Sequence, residues 1–386
     1  MAAAALSALR LPGAQNVTVE AGRFDRRDVV VSFPVPAGVD GKSMLRDESG
    51  KTTALQIDSG QASFVLADLK AGKTKQYRIV PSNASDMRVK ATADERLLRV
   101  TSGADKIFDF RLQRELPEPG IKEAFKRAGY MHPVYSPSGR VVTDDYPSDH
   151  YHQHGIMFAW TKTEFEGRHP DFWNMGDGTG SVEFDGIGNS WSGSVHAGFT
   201  ARLRYVDLSA PKPVNALNEV WSVHVYGVQS GPKPHTMFDI VSTQQTAGST
   251  PLFLPDYRYG GMAVRGHRNW RVKENVTFLT SEGKDRLGGD DTVARWCAIF
   301  GKVDGAVAGI AMLGHPDNFR APQPLRIHPT DPYFNFAPSK RGDWRIDFAK
   351  PYVSRYRFVA FDGPADSAEL DRLWNDYAYP PKVSLS

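Results

Sequence analysis

Three of the eleven histidines fall within five positions, in Asp149-His150-Tyr151-His152-Gln153-His154-Gly155. Imidazole changes its protonation closest to neutral pH and is also the commonest side-chain metal ligand. In an extended segment, residues i, i+2 and i+4 share one face. The spacing therefore predicts a row of His150, His152 and His154, about 6.6–6.8 Å apart per step. Such a row supplies a proton donor and hydroxyl contacts for general acid–base chemistry without any cofactor. Its second use is to hold a divalent metal through the same three rings. A strand end with no chemical task is the plain alternative.

Other residues can complete such a site. Glu219 opens Glu219-Val220-Trp221-Ser222-Val223-His224-Val225-Tyr226, where alternation sets it beside Trp221, Val223 and Val225 on a face that should be buried. A buried carboxyl has a raised pKa and suits acid or base work, which makes Glu219 a catalytic candidate, with a surface glutamate at a strand edge as the plain alternative. Asp239 raises the same question less sharply. Candidate binding residues are His132 in a tight polar loop, Trp173 as an aromatic face for a sugar ring, and Arg265 as a planar fork between glycines. His315, Asn318 and Arg320 follow an apolar strand, and His328 lies among aromatics in His328–Phe336.

The elements that must position these residues read as strands. Asp28–Val35, Ser63–Leu66 and Tyr77–Val80, separated by glycine turns, have the spacing of a small β-sandwich. Pro81–Ser85 reads as a linker, so the chain divides into residues 1–85 and 86–386. Beyond it, ten further segments from Leu97–Thr101 to Val353–Phe361 predict one large antiparallel β-supersandwich. The segments Lys162–Asp177 and Pro255–Arg271 read as long loops. One helix is predicted over Pro364–Tyr377, from Leu370, Leu373, Trp374 and Tyr377 at helical spacing.

Composition narrows the function classes. Of 386 residues, 40% are hydrophobic, so disorder is excluded as the main state. The net charge is 47 − 44 = +3, too balanced for a nucleic-acid binder. The longest apolar run, Ala306–Leu313, is too short to cross a bilayer as a helix. The single cysteine, Cys297, excludes an internal disulfide and reads as an inert core residue. The alanine-rich Ala2–Leu9 reads as the remnant of a clipped export signal, which implies a periplasmic or secreted protein, with the cytoplasm as alternative.

The run Asp149–Gly155, with His132-Pro133, Ser138-Gly139, Tyr259-Gly260-Gly261, Arg265 and His315–Arg320, resembles the PmoA-like family of bacterial proteins over roughly residues 95–360. That family carries Asp-His-x-His-His-Arg-Gly; here Gln153 and His154 occupy the positions of its last histidine and arginine. The resemblance implies sugar metabolism. His328–Asn335 is also similar to the His-Pro-Tyr-Phe-Asn signature of galactose mutarotases, with three extra residues. That likeness implies a mutarotase-like sandwich, a histidine acid and a glutamate base, here Glu219. The function expected is a carbohydrate-active hydrolase, lyase or epimerase acting on a small carbohydrate. The alternatives are a non-catalytic sugar-binding protein and a metal-dependent enzyme on His150, His152 and His154.

Overall fold

In Asn16–Glu20 every second side chain is apolar, and Val17 and Val19 are buried while their neighbours are not. The same period of two recurs in Arg26–Pro34, through Val29, Val31 and Phe33. A strand with one apolar face must cover it. The computed structural model describes residues 16–82, 87–227 and 233–386, and shows how each such face is covered. The chain divides into two compact units, Met1–Met87 with Tyr379–Ser386, and Arg88–Ala378. Ala2–Leu9 lies outside the described residues, as does most of the Pro81–Ser85 linker.

The first unit packs two antiparallel sheets. One has the order Lys382–Leu385, Asn16–Glu20, Thr74–Pro81, Ser43–Asp47, Thr52–Ala54; the other, Arg26–Pro34, Gln61–Leu69, Gln56–Asp58. Val17, Val31, Phe33, Leu45, Phe64 and Tyr77 fill the space between them. The outer strand comes from the far end of the chain, where Val17 pairs with Leu385 and Val19 with Val383. Sequence reading assigns everything after residue 85 to the larger body; the contacts return Tyr379–Ser386 to the smaller one.

The second unit packs two eight-stranded antiparallel sheets. One runs Leu325–Ile327, Tyr333–Phe336, Gly261–Arg265, Ile156–Ala159, Met131–Val134, Asp105–Arg111, Leu97–Ser102, Val89–Ala93. The other runs Gly180–Trp191, His196–Asp207, Val214–Tyr226, His235–Thr246, Tyr352–Asp362, Ala306–Gly314, Trp296–Val303, Val276–Thr280. Phe108, Phe110, Phe158, Trp160, Trp221 and Phe358 belong to the continuous core between them. The molecule is thus mainly β, built of antiparallel sandwiches.

The helix spans Ser367–Ala378 and seats Leu370, Leu373 and Trp374 against Trp296, Leu313 and Val359. Each of those side chains contributes about 1.5–3 kcal/mol by leaving water. The helix starts later than its periodicity suggests because Asp366 caps it, accepting from the amides of Ala368 (3.0 Å) and Glu369 (3.2 Å).

One predicted loop is a central strand. Gly261–Arg265 is wholly buried and pairs with Ile156–Ala159 on one side and Tyr333–Phe336 on the other. Glycine permits this. Gly261 has φ +118°, and a Cβ there would lie 2.2 Å from the Phe336 carbonyl oxygen. Cys297 is buried, and burial pushes its thiol pKa up, in keeping with an inert core position.

Candidate functional site

The histidine run is not extended. The His150 amide donates to the Pro147 carbonyl and the Gln153 amide to the His150 carbonyl, both at 2.8 Å. Residues 147–153 therefore make two consecutive tight turns. Pro147, Ser148 and Asp149 are strong turn formers, and they override the alternation expected of His150, His152 and His154. The three rings consequently do not form one row.

His154 is fully buried, in a packet of its own. Its Nδ1 meets Asp145 Oδ1 at 2.7 Å, its ring stacks on Tyr130 at 4.4 Å, and Tyr146 packs edge-on at 4.5 Å. Tyr130 donates to the other oxygen of Asp145 at 2.9 Å. Burial lowers the His154 pKa, against the pull of Asp145. Beside it, His132 Nδ1 lies 2.9 Å from Thr143 Oγ1, and burial takes the His132 pKa down to about 4. Gly155 closes the packet, since a Cβ there would lie 2.2 Å from the Met131 carbonyl oxygen and 3.1 Å from His132 Cβ. Gly155→Ala is expected to cost about 1–3 kcal/mol through this overpacking, measured as a lower urea midpoint.

His150 and His152 turn the other way. Their ring centroids are 5.5 Å apart, and His328, from a separate turn, is 5.8 Å from His150. His328 Nδ1 accepts the Asp331 amide at 2.9 Å, which shapes that turn. Asp331 Oδ2 then stands 3.3 Å from His150 Nδ1, and Asp149 Oδ2 stands 3.4 Å from it on another side. His152 has its ring against His150 and is half-buried. Burial, with the nearby charges of His150, His154 and Arg265, holds its pKa at about 3.

Arg265 lies beneath this basin rather than in it. It is fully buried, donating to Gln153 Oε1 at 2.7 Å and to Asp149 Oδ1 at 3.5 Å. It pins the turn that presents His150 and His152, which corrects its assignment as an open clamp for substrate. Trp173 is also buried, enclosed by Tyr259 (5.9 Å) and Tyr333 (5.6 Å). The half-exposed aromatic faces belong to Tyr259 and Tyr257, whose rings are 6.2 Å apart. Tyr257 borders a cleft of about 510 Å³ that also has Lys162, His169, Asp177 and Asp256 on its walls.

Glu219 is buried as alternation predicts, but not beside the histidines. It accepts from Trp221 Nε1 (2.7 Å), Ser242 Oγ (2.5 Å), Gln244 Nε2 (2.9 Å) and Tyr205 Oη (2.9 Å). Burial raises its pKa and those four donors oppose the rise. The charge of Glu219 acts on Arg127, itself buried and donating to the Phe158 carbonyl. The expected pairing of Glu219 with a shared histidine row is therefore not present. Asp239 is held by Arg357 at 2.7 and 2.9 Å and by Tyr226 at 2.8 Å.

The remaining candidates lie elsewhere in structural roles. Asn318 bonds both the amide and the carbonyl of Arg355 at 2.8 Å. Arg320 donates to the Pro338, Gly342 and Asp343 carbonyls. His315 packs edge-on to Tyr377 at 4.9 Å and accepts the Asp317 amide. No bond or ring contact among the described residues joins these three to His150. The structure thus brings together His150, His152 and His328 from the predicted set. Asp149 and Asp331 complete the group. The signal for Asp331 was its place three residues after a histidine, in a turn bracketed by Pro329 and Pro332.

Residues 98–375 match a family of unknown function, DUF6807, and the chain belongs to that family. No curated protein matches it in sequence. Among solved structures, an α-mannosidase from Enterococcus faecalis V583 is similar with a TM-score of 0.39 and 6% identity, over 97% of this chain and 46% of that one. The chain thus spans less than half the length of that structure. No helix among the described residues is long and apolar enough to cross a membrane.

Proposed function

We propose that the protein is an enzyme acting on a carbohydrate at the basin of His150, His152, His328, Asp149 and Asp331. The observation that carries this reading is the convergence of two separate turns, 147–153 and 328–331, on one group of imidazoles and carboxylates. Buried polar groups without a structural partner are costly, and the basin holds several: His150 Nδ1 and Asp331 Oδ2 make no hydrogen bond. His152 makes none among the described residues either, and its ring is half-buried, which leaves its nitrogens for a substrate hydroxyl. Neutral His152 accepts a hydrogen bond from the substrate hydroxyl and holds it in place, and the carboxylates of Asp149 and Asp331 balance positive charge that develops in the group.

Tyr257 and Tyr259 present half-exposed rings of the kind that pack on the apolar C–H faces of a pyranose, and no bond or ring contact among the described residues joins them to the basin. The reaction is cleavage or rearrangement at a sugar carbon, of the hydrolase, lyase or epimerase type. The similarity to PmoA-like proteins and to mutarotases in sequence points the same way.

The test is a panel of glycosides, uronides and free sugars assayed with the purified protein and with His152→Ala. Turnover by the parent, reduced about 10²–10⁴-fold in the variant with only a small change in sugar affinity, is the expected result. Binding without turnover in both proteins would identify a sugar-binding protein instead. No response to any sugar would end the proposal.

A further inference from the structure

The donor atoms of the basin are arranged for something other than each other. His150 Nδ1 and Asp331 Oδ2 are 3.3 Å apart, both closed off from solvent, yet no hydrogen bond joins them. At that distance an imidazole N–H aimed at the carboxylate would make one. The two atoms instead lie side by side. A donor atom of His328 joins them, so that three donors from three residues lie within 4.8 Å of one another.

Such a layout fits one ion. Two ligands bound at about 2.0–2.1 Å with tetrahedral angles stand about 3.3–3.4 Å apart, which is the separation seen here. Two imidazoles with a carboxylate suit a borderline divalent cation such as zinc better than calcium or magnesium, which prefer all-oxygen shells. We infer that His150, Asp331 and His328 form a binding site for a divalent transition metal of the zinc type.

The three ligands are not equal. His150 and Asp331 present free atoms, whereas His328 Nδ1 already accepts the Asp331 amide. His328 must loosen that bond to bind through that nitrogen, so it is the weakest of the three. Asp149 supports the site from outside. Its carboxylate lies 3.4 Å from His150 Nδ1 and is itself tied to Arg265 and Arg271. With three protein ligands, a fourth position is left for water or a substrate oxygen, as catalytic zinc sites require. The inference deepens the carbohydrate reading by placing an electrophile in the same basin, and rests on that reading only for the ion's use.

Tag-free full-length protein, stripped with chelator and dialysed, should be titrated calorimetrically with Zn²⁺ alone, and then with Mg²⁺. One equivalent of Zn²⁺ is expected to bind at micromolar concentration or tighter, and Mg²⁺ far more weakly. Asp331→Asn, which keeps the side-chain shape, and His150→Ala should each weaken Zn²⁺ by about a hundredfold. His328→Ala should weaken it by less. Circular dichroism checks that each variant is folded. Absence of Zn²⁺ binding, or binding unchanged in both Asp331→Asn and His150→Ala, overturns the site. Sugar turnover without metal binding defeats this inference and leaves the carbohydrate enzyme standing. Stoichiometric zinc lost in those variants, without turnover of any sugar, supports the site and defeats the sugar reading.

Discussion

Replacing Glu219 by alanine is expected to destabilise the larger unit by about 3–5 kcal/mol, because one acceptor group serves four buried donors. Trp221, Ser242 and Gln244 all point at Oε1, and Tyr205 at Oε2. Alanine strands these buried donors without their acceptor, and removes an acid that acts on the buried Arg127. Glu219→Gln separates the two effects. Its amide oxygen can keep the three donors of Oε1, and Tyr205 can turn its hydroxyl hydrogen to the Phe158 carbonyl, already 3.2 Å away. The glutamine variant should therefore lose less than half of what alanine loses, the remainder reporting the coupling to Arg127. Urea unfolding followed by tryptophan fluorescence measures both, since all eight tryptophans lie between Trp160 and Trp374. Equal losses in the two variants would show that charge, not hydrogen bonding, holds Glu219 in place.

Glu219 also shows what a sequence discloses and what it withholds. Alternation along its strand placed it on the buried face, because a period of two depends only on local backbone geometry. Its partners Ser242 and Tyr205 sit on neighbouring strands at positions that only sheet register fixes, and register is a long-range property. The long strands of the second large sheet were legible for the same local reason, and so was the helix, to within the capping turn at Asp366; Met131–Val134, read as the loop of His132, and the short strands Leu325–Ile327 and Tyr333–Phe336 were not. Gly261–Arg265 was not, since its glycines read as a turn until close approach to Phe336 reveals why they are needed. In the histidine run two local signals competed, and turn chemistry at Pro147–Asp149 won over alternation. All five members of the basin lie in the runs 149–155 and 328–336, yet their meeting depends on bringing residue 150 to residue 331. No pattern within either motif encodes that contact.

The packet around His154 leads to the second large effect, a loss of stability in acid. His132 is neutral in the folded protein down to about pH 4, because burial there penalises its charge; Arg111 and His154 add to this, while Asp145 and Asp144 oppose it. The unfolded chain takes up that proton near pH 6.5. Between these values the unfolded state binds more protons, so the stability contributed by neutral His132 is complete above pH 6.5 and is lost as the pH falls to about 4. Two and a half units correspond to about 3 kcal/mol from this residue. The pKa of His154 is lowered as well, so it adds a loss of the same sign, and so does His152. Asp145, where burial pushes the pKa up but the bonds from His154 and Tyr130 and the charges of His154 and His132 together bring it below the ordinary value, gives a further loss only below its ordinary range near pH 3.8. Unfolding free energies from tryptophan fluorescence should thus fall steeply between pH 6.5 and 4.5. His132→Gln, which can keep a bond to Thr143 but cannot titrate, should flatten that slope by about 1.4 kcal/mol per pH unit. A slope unchanged in this variant would mean that His132 takes up its proton as readily in the folded protein as in the unfolded chain. The strand pair Met131–Val134 and Ile156–Ala159 would then have to open around it, carrying His154 and the basin turn with it.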